Sequence, residues 1–214
     1  MNHIFHKGSF RFLFLLLIQI LNGSNNSKTL DLISLGISKS YAINPFNANR
    51  LYFQSSVSFK SLPESNNHQY YPDIGFGYKV SKNLSFEISV FNYNLDGNSN
   101  QLISGGIQYY FGSNDTLDWV SSLKKVNYKS LKNFNMDNII FDISKWMKFK
   151  SNFFRFGLGS TFYTKDNFLY KEKGQTNFII MNVILPIKIF QLGFEAKINP
   201  NVFLYSFSLQ KDFN

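Results

Sequence analysis

The sequence predicts an all-β protein, an antiparallel up-and-down transmembrane β-barrel of about 10–12 strands, with eight as the lower alternative. Three observations predict it. Apolar and polar residues alternate with a period of two from about residue 30 almost to the C-terminus. Only 16% of the residues are charged, whereas a typical soluble domain has about 25%. The first 24 residues have the pattern of a secretory signal peptide.

The N-terminal pattern consists of a basic stretch followed by a short apolar run. Lys7 and Arg11 precede the run Phe12–Leu21, and small or polar residues follow it. This run is shorter than the roughly 20 residues that a membrane-spanning helix needs. We therefore expect residues 1–24 to be a signal peptide and residues 25–214 to form the barrel. An uncleaved interfacial anchor is the alternative.

The strands follow from successive alternating runs. Their apolar members are Leu35, Ile37, Tyr41 and Ile43; Leu51, Phe53, Val57 and Phe59; Phe76, Tyr78 and Val80; Leu84, Phe86, Ile88 and Val90; Ile103, Ile107, Tyr109 and Phe111; Ile139, Phe141 and Ile143; Phe154, Phe156, Leu158 and Phe162; Phe190, Leu192, Phe194, Ala196 and Ile198; and Phe203, Tyr205, Phe207 and Leu209. Residues 117–128 form a weaker run, residues 178–185 are apolar on both faces, and residues 186–189 are predicted to turn. No helical period lasts longer than a turn or two. The count is about eleven, and closed bacterial barrels normally have an even number. Either a short strand at residues 29–33 completes the count, or the run at 117–128 is not a strand.

Two hairpins follow from the register. A loop at residues 81–83 pairs Tyr78 with Phe86 and brings Lys79 within diagonal reach of Glu87. A loop at residues 199–202 gives the pairs Ile198–Phe203, Ala196–Tyr205, Phe194–Phe207 and Leu192–Leu209. Apolar residues meet apolar residues in both hairpins, so neighbouring strands are predicted to be antiparallel.

The apolar face is predicted to point at lipid. Four or five apolar residues per strand match an apolar band about 25 Å tall, and aromatic residues gather near strand ends. The other face carries Gly, Ser and isolated charges, which suit the packed interior of a narrow barrel. The expected lumen charges are Lys79, Glu87, Asp142, Arg155, Glu195 and Lys197. A secreted β-sandwich that binds a partner is the alternative.

The C-terminal sequence INPNVFLYSFSLQKDF, together with the export signal and the repeated strands, resembles small Gram-negative outer-membrane β-barrels, broadly the OmpA and OmpW kind. In such proteins the last strand alternates aromatic residues and is recognised by the barrel-assembly machinery. The matching residues are Phe203, Tyr205, Phe207, Leu209 and Phe213, although Lys211 interrupts the pattern and Asn214 follows it. The resemblance implies an outer-membrane location in contact with lipid and lipopolysaccharide. It implies either a structural protein or a narrow pore for small solutes.

The sequence contains few residues that could catalyse a reaction or bind a metal. The chain has no Cys, which excludes disulfides, thiolate metal sites and Cys nucleophiles. His68 is the only imidazole after residue 24, so a metal site built on several His ligands is excluded. No cofactor, metal or catalytic residue is predicted. An enzyme at the barrel rim that acts on lipid through His68, with Glu64, Ser65 and Asp73 nearby, is a second alternative.

Charge indicates one further contact. The net charge is +9, and removal of Lys7 and Arg11 with residues 1–24 leaves +7, too little to suggest nucleic-acid binding. Residues 121–135 contain no Asp or Glu. They include four lysines, namely Lys124, Lys125, Lys129 and Lys132. At a barrel rim these lysines could meet lipopolysaccharide phosphates. A solvated loop or strand edge is the plainer interpretation.

Overall fold

Ten antiparallel strands close into a barrel around an N-terminal segment. The computed structural model describes residues 28–213, apart from 40, 47–48, 62–69, 96–97, 114–115, 131–134, 167–170 and 201. The elements are α1 Lys28–Ile37, β1 Leu51–Ser61, β2 Tyr70–Lys79, β3 Leu84–Leu95, β4 Asn98–Ser113, β5 Thr116–Ser130, β6 Asn135–Phe149, β7 Asn152–Asp166, β8 Lys171–Ile187, β9 Phe190–Asn199 and β10 Val202–Phe213. The predicted signal peptide at residues 1–24 lies outside the described residues.

Each strand pairs with its neighbours in sequence, and β1 pairs with β10 from Leu51↔Phe213 to Ser61↔Phe203. Every strand thus has two partners, so the β-sandwich alternative is wrong. Both predicted registers are confirmed. Tyr78 faces Phe86, and β9 pairs with β10 as expected, although Asn199 and Val202 also pair and shorten that loop to two residues.

Three expectations about individual strands are wrong. The run at 117–128 is a true strand, since it lies within β5. The first run does not belong to the sheet: residues 28–37 form α1, and residues 41–44 have no strand structure. Residues 29–33 are helical and do not form the missing strand. No helix in the described part of the chain is long and apolar enough to cross a membrane.

Two tight turns contain lysines with positive φ. Lys150 (φ 55°) lies between β6 and β7, and Lys188 (φ 48°) lies between β8 and β9. Two-residue hairpin turns favour positive φ because their twist then matches that of the strands. Strand β8 continues to Ile187, so the predicted turn at 186–189 begins later than expected.

The outer surface is apolar. Outward side chains such as Ile88, Val90 and Phe141 are 56%, 58% and 46% exposed. The alternate positions of the same strands, such as Ser89 and Asp142, are buried. In β6 exposed and buried residues alternate along most of the strand. A surface this apolar suits hydrocarbon, and a closed barrel leaves no unpaired strand edge there. The fold is that of a transmembrane β-barrel.

Candidate functional site

The lumen contains a segment of the chain itself. This inserted segment comprises α1 and residues 38, 39 and 41–46. We call the end of the barrel where β1 begins and β10 ends the terminal end, and the other the distal end. The helix contacts β1, β7, β8 and β10, and the chain then runs through the lumen towards Leu51 at the terminal end.

The inserted segment is anchored by apolar contacts at both ends. Leu35 and Ile37 belong to a buried cluster at the distal end, whose other members are Leu102, Val126, Tyr128, Met136, Ile140, Tyr163, Phe178, Ile180 and Val202. Tyr41, Ala42 and Ile43 belong to a second cluster at the terminal end, with Tyr52, Tyr110, Val120, Trp146 and Ile184. Inward apolar residues at the two ends of the barrel are therefore covered by the segment, which removes their surface from water.

Polar side chains of the wall bind the main chain of the segment. Carbonyl oxygens at every second residue accept from the wall: Lys39 from Lys124 Nζ, Tyr41 from Gln108 Nε2 (2.6 Å), Ile43 from the Tyr110 hydroxyl (3.3 Å) and Pro45 from Lys79 Nζ (3.1 Å). The Tyr41 N–H donates to Glu87 Oε2 at 3.0 Å, and Lys197 Nζ donates to the Ser38 carbonyl at 2.5 Å. Wall side chains thus take the place of a neighbouring strand.

Glycines on β2 make room for two side chains of the segment. A Cβ at Gly77 would lie 2.6 Å from Ile43 Cδ1, and a Cβ at Gly75 would clash with the Tyr41 hydroxyl. No other residue type leaves the wall backbone open to such a close approach.

Among the described residues, three ion pairs hold six of the nine buried charges of the lumen. Arg155 lies 2.6 Å from Asp142, and its Nε donates to Ser144 Oγ at 2.7 Å. Lys124 lies 3.4 Å from Glu87, and Lys197 lies 3.8 Å from Glu195. Pairing and hydrogen bonding offset the cost of removing these charges from water.

The structure places all six predicted lumen charges in the interior, namely Lys79, Glu87, Asp142, Arg155, Glu195 and Lys197. The partners differ from expectation. Glu87, expected to meet Lys79, forms its ion pair with Lys124 of β5. Lys79 reaches Pro45 instead. Three of the six, Lys79, Glu87 and Lys197, bind the inserted segment, while their role as the lining of a pore stays a prediction.

The four lysines predicted to contact lipopolysaccharide differ in which face of the wall they occupy. Lys124 faces inward and is 2% exposed, so that prediction is wrong for Lys124 because its ammonium is enclosed by the lumen. Lys125 and Lys129 have the opposite parity in β5 and are exposed on the outside. Lys132 lies outside the described residues.

Of these two lysines, Lys129 lies beyond the apolar band, because it pairs with Gln101 and Asn135, whereas Lys125 pairs with the exposed Ile139. On β5 the outward positions change from Leu123 to Lys125, Asn127 and Lys129 towards the distal end. Asn127 donates a hydrogen bond to Asp137 of β6, so this part of the outer wall is polar and suits the level of lipid headgroups.

The residues of the predicted assembly signal lie on the outside of β10. Phe203, Tyr205, Phe207, Leu209 and Phe213 are all exposed. Their rings contact neighbouring strands: Phe59 stacks on Tyr205 with centroids 5.6 Å apart, and Phe194 meets Phe207 edge-on at 5.1 Å. Recognition by the assembly machinery stays a prediction.

Catalytic candidates are not brought together in the described structure. His68, Glu64 and Ser65 lie outside the described residues, and Asp73 is buried in the wall. The rim-enzyme alternative stays a prediction, and an unchanged rate of lipid hydrolysis in His68→Ala would eliminate it. Among the residues whose positions are described, no group of three or more His, Cys, Asp or Glu could hold a metal ion.

Gln108, Tyr110, Gly75 and Gly77 also belong to this site and were not predicted from the sequence. One feature of the sequence indicates that the lumen is occupied. Residues 178–185 are apolar on both faces, and the inward members Phe178, Ile180 and Ile184 are buried against the two clusters. Apolar residues facing a narrow lumen require an apolar partner inside it.

Comparisons with known proteins assign no family. No protein-family model matches the chain, and no curated protein sequence matches significantly. Solved structures that resemble it include the β domain of the Bordetella autotransporter BrkA (8% identity, 78% of this chain and 100% of that chain, TM-score 0.45). The KdgM porin (14%, 76% and 99%, 0.39) and the translocator domain of autotransporter NalP from Neisseria meningitidis (7%, 87% and 94%, 0.40) also resemble it. The geometry itself establishes a closed, ten-stranded, outward-apolar barrel filled by its own N-terminal segment.

Proposed function

We propose that this protein is an integral outer-membrane β-barrel without catalytic activity, whose lumen is occupied by the inserted segment. The supporting observation is the division of side chains between the two faces of the wall: apolar residues are exposed outside, and paired charges are buried inside. Only an apolar surrounding makes that division favourable.

Fractionation of the envelope followed by gel electrophoresis with and without heating tests this proposal. A closed barrel resists SDS in the cold and changes mobility once it is heated, so we expect a heat-dependent shift of protein from the outer-membrane fraction. Recovery as a soluble periplasmic protein without a shift would contradict the proposal.

A narrow pore for small solutes is the second candidate. It is favoured by the charged middle of the lumen, where Glu87, Lys124 and Lys197 contact the inserted segment chiefly through its main chain. If the segment leaves, these charges face a water-filled passage. We expect low conductance from the full chain in planar bilayers and higher conductance from Tyr41→Ala/Ile43→Ala. Equal conductance of the two proteins would rule out a pore controlled by the segment.

We propose that the terminal end faces the periplasm. Its hairpin links between β6 and β7 and between β8 and β9 have two residues each, whereas the longest link, 62–69, is at the distal end. Short periplasmic turns and longer external loops are usual in outer-membrane barrels. Lys129 would then lie at the level of lipopolysaccharide phosphates, and the long side chain of Lys125 would extend towards them from the edge of the apolar band.

We propose that the outward face of β10 is read during assembly. Removal of the ring in Phe213→Ala should lower the fraction of heat-modifiable protein in the outer membrane, while Phe149→Ala, an exposed aromatic residue on β6, should not. Equal losses in both variants would argue against a signal in β10.

A further inference from the structure

We propose that the lumen is a binding site for an extended polypeptide, and that residues 38, 39 and 41–45 are its resident occupant. The site would therefore accept a matching segment of another chain. The inference goes beyond the membrane location proposed above and depends on contacts inside the barrel.

The contacts are of the kind that recognises a main chain. Wall donors lie within hydrogen-bond distance of the carbonyls of residues 39, 41, 43 and 45. This spacing is the two-residue period of an extended strand. Contacts to main-chain atoms do not depend on which side chains the occupant carries. These main-chain contacts are therefore independent of the occupant's sequence.

The groups that make these contacts form one buried network. Gln108 donates to Glu87 (2.7 Å), and Lys124 pairs with Glu87. The one proton of the Tyr110 hydroxyl is within reach of both Gln108 Oε1 (2.9 Å) and the Ile43 carbonyl (3.3 Å). The network holds its donors in place before an occupant arrives. Loss of the occupant would leave buried donors without their acceptors, which is costly.

Two positions supply selectivity. Tyr41 lies against Gly75, with Lys124 Nζ 5.2 Å from its ring centroid, and Ile43 lies against Gly77. Both side chains belong to the cluster at the terminal end. The expected ligand is thus an extended peptide with an aromatic residue followed two positions later by an aliphatic one.

Binding of a labelled peptide to the full-length protein in detergent tests the proposal. The probe is SKSYAINP, the sequence of residues 38–45, measured by fluorescence anisotropy. The receptor is Tyr41→Ala/Ile43→Ala, whose own segment competes poorly. We expect saturable binding at least about tenfold tighter than to the wild-type chain, as the loss of two buried side chains from the competitor implies.

Chemical variants of the peptide separate main-chain from side-chain recognition. Methylation of the Tyr41 amide nitrogen removes the donor to Glu87 and should weaken binding at least about tenfold, as for a lost hydrogen bond to a charged group. Replacement of Lys39, whose buried ammonium has no hydrogen-bond partner among the described residues, by alanine should not weaken binding. Tolerance of the methylated amide would overturn main-chain recognition.

A disulfide lock supplies the control. The chain has no Cys, and Ile43 Cγ1 would lie 3.2 Å from a Cβ at Gly77, so Ile43→Cys/Gly77→Cys brings two thiols within bonding reach. The oxidised protein should bind no peptide, and reduction should restore the weak binding of the unlocked chain. Peptide binding unaffected by the lock, or no saturable binding to the folded double alanine variant, would overturn the proposal. The heat-dependent mobility shift reports barrel formation separately.

Discussion

Ile43 of the inserted segment packs directly on the backbone of β2 at Gly77, where a Cβ would lie 2.6 Å from Ile43 Cδ1. Gly77→Leu should therefore expel this part of the segment from the lumen. We expect a cysteine introduced at Ser38, which is fully buried, to react with a maleimide at least about tenfold faster in the Gly77→Leu background, since one lost core side chain is worth over 1.4 kcal/mol.

Gly105 offers a matched control because it points outward and a Cβ there meets nothing closer than 4.0 Å. Gly105→Leu should leave the labelling rate unchanged. Equal acceleration by both leucines would mean that general loosening of the barrel exposes position 38, and not displacement of the segment.

The buried ion pair between Arg155 and Asp142 predicts a strong asymmetry between single and double substitutions. Arg155→Met leaves the Asp142 carboxylate uncompensated, so we expect a loss of about 3–5 kcal/mol in the free energy of unfolding. Asp142→Leu/Arg155→Met should recover much of this loss because no buried charge remains. Unfolding in urea, followed by the fluorescence of buried Trp146, provides the measurement.

The exposed pair of Lys171 and Asp166, 3.9 Å apart, is the comparison. Lys171→Met should change the free energy of unfolding by less than about 1 kcal/mol, because water screens such a pair. A similar cost for Lys171→Met and Arg155→Met would show that the interior of the barrel is wet enough to solvate a lone carboxylate.

Lys125 and Lys129 should strengthen binding to anionic headgroups. Reversal of both charges in Lys125→Glu/Lys129→Glu should weaken association with lipopolysaccharide, and the difference from wild type should shrink as salt is raised. Lys82→Glu/Lys150→Glu makes the same change of charge at the terminal end and should have no such effect. Co-purified lipopolysaccharide per protein provides the measurement, and equal losses would point to net charge alone.

The turn at Lys188 should tolerate glycine better than alanine. Its φ of 48° is a conformation that costs an L-residue roughly 1 kcal/mol and glycine almost nothing. We expect Lys188→Gly to be more stable than Lys188→Ala by about 1 kcal/mol, measured as a higher temperature for the mobility shift on gels. An equal temperature for both variants would refute strain at this turn.

The wall of the barrel was predictable because each of its residues faces one of two very different surroundings. Alternation in β2 and β3 was enough to give the correct pairing of Tyr78 with Phe86. The parity of residues also placed Glu87 and Arg155 inside correctly.

The inserted segment was not predictable in the same way. In the part of α1 whose side chains are described, burial does not follow polarity: Ser34 and Leu35 are equally inaccessible. Leu35, Ile37, Tyr41 and Ile43 then have the spacing of a strand although none belongs to the sheet. Their packing depends on Gly75, Phe178 and other residues distant in sequence, and no local pattern reveals such contacts.

The chain passes through a ring that it also closes. The barrel closes where β1 pairs with β10, for example at Leu51 and Phe213. These are the first and last strands in sequence, and contacts between residues so far apart form late because closing a long loop costs conformational entropy. We therefore expect residues 28–46 to lie between the unjoined edges before β1 meets β10. The order of biogenesis, rather than diffusion through a finished opening, would then decide what the barrel encloses.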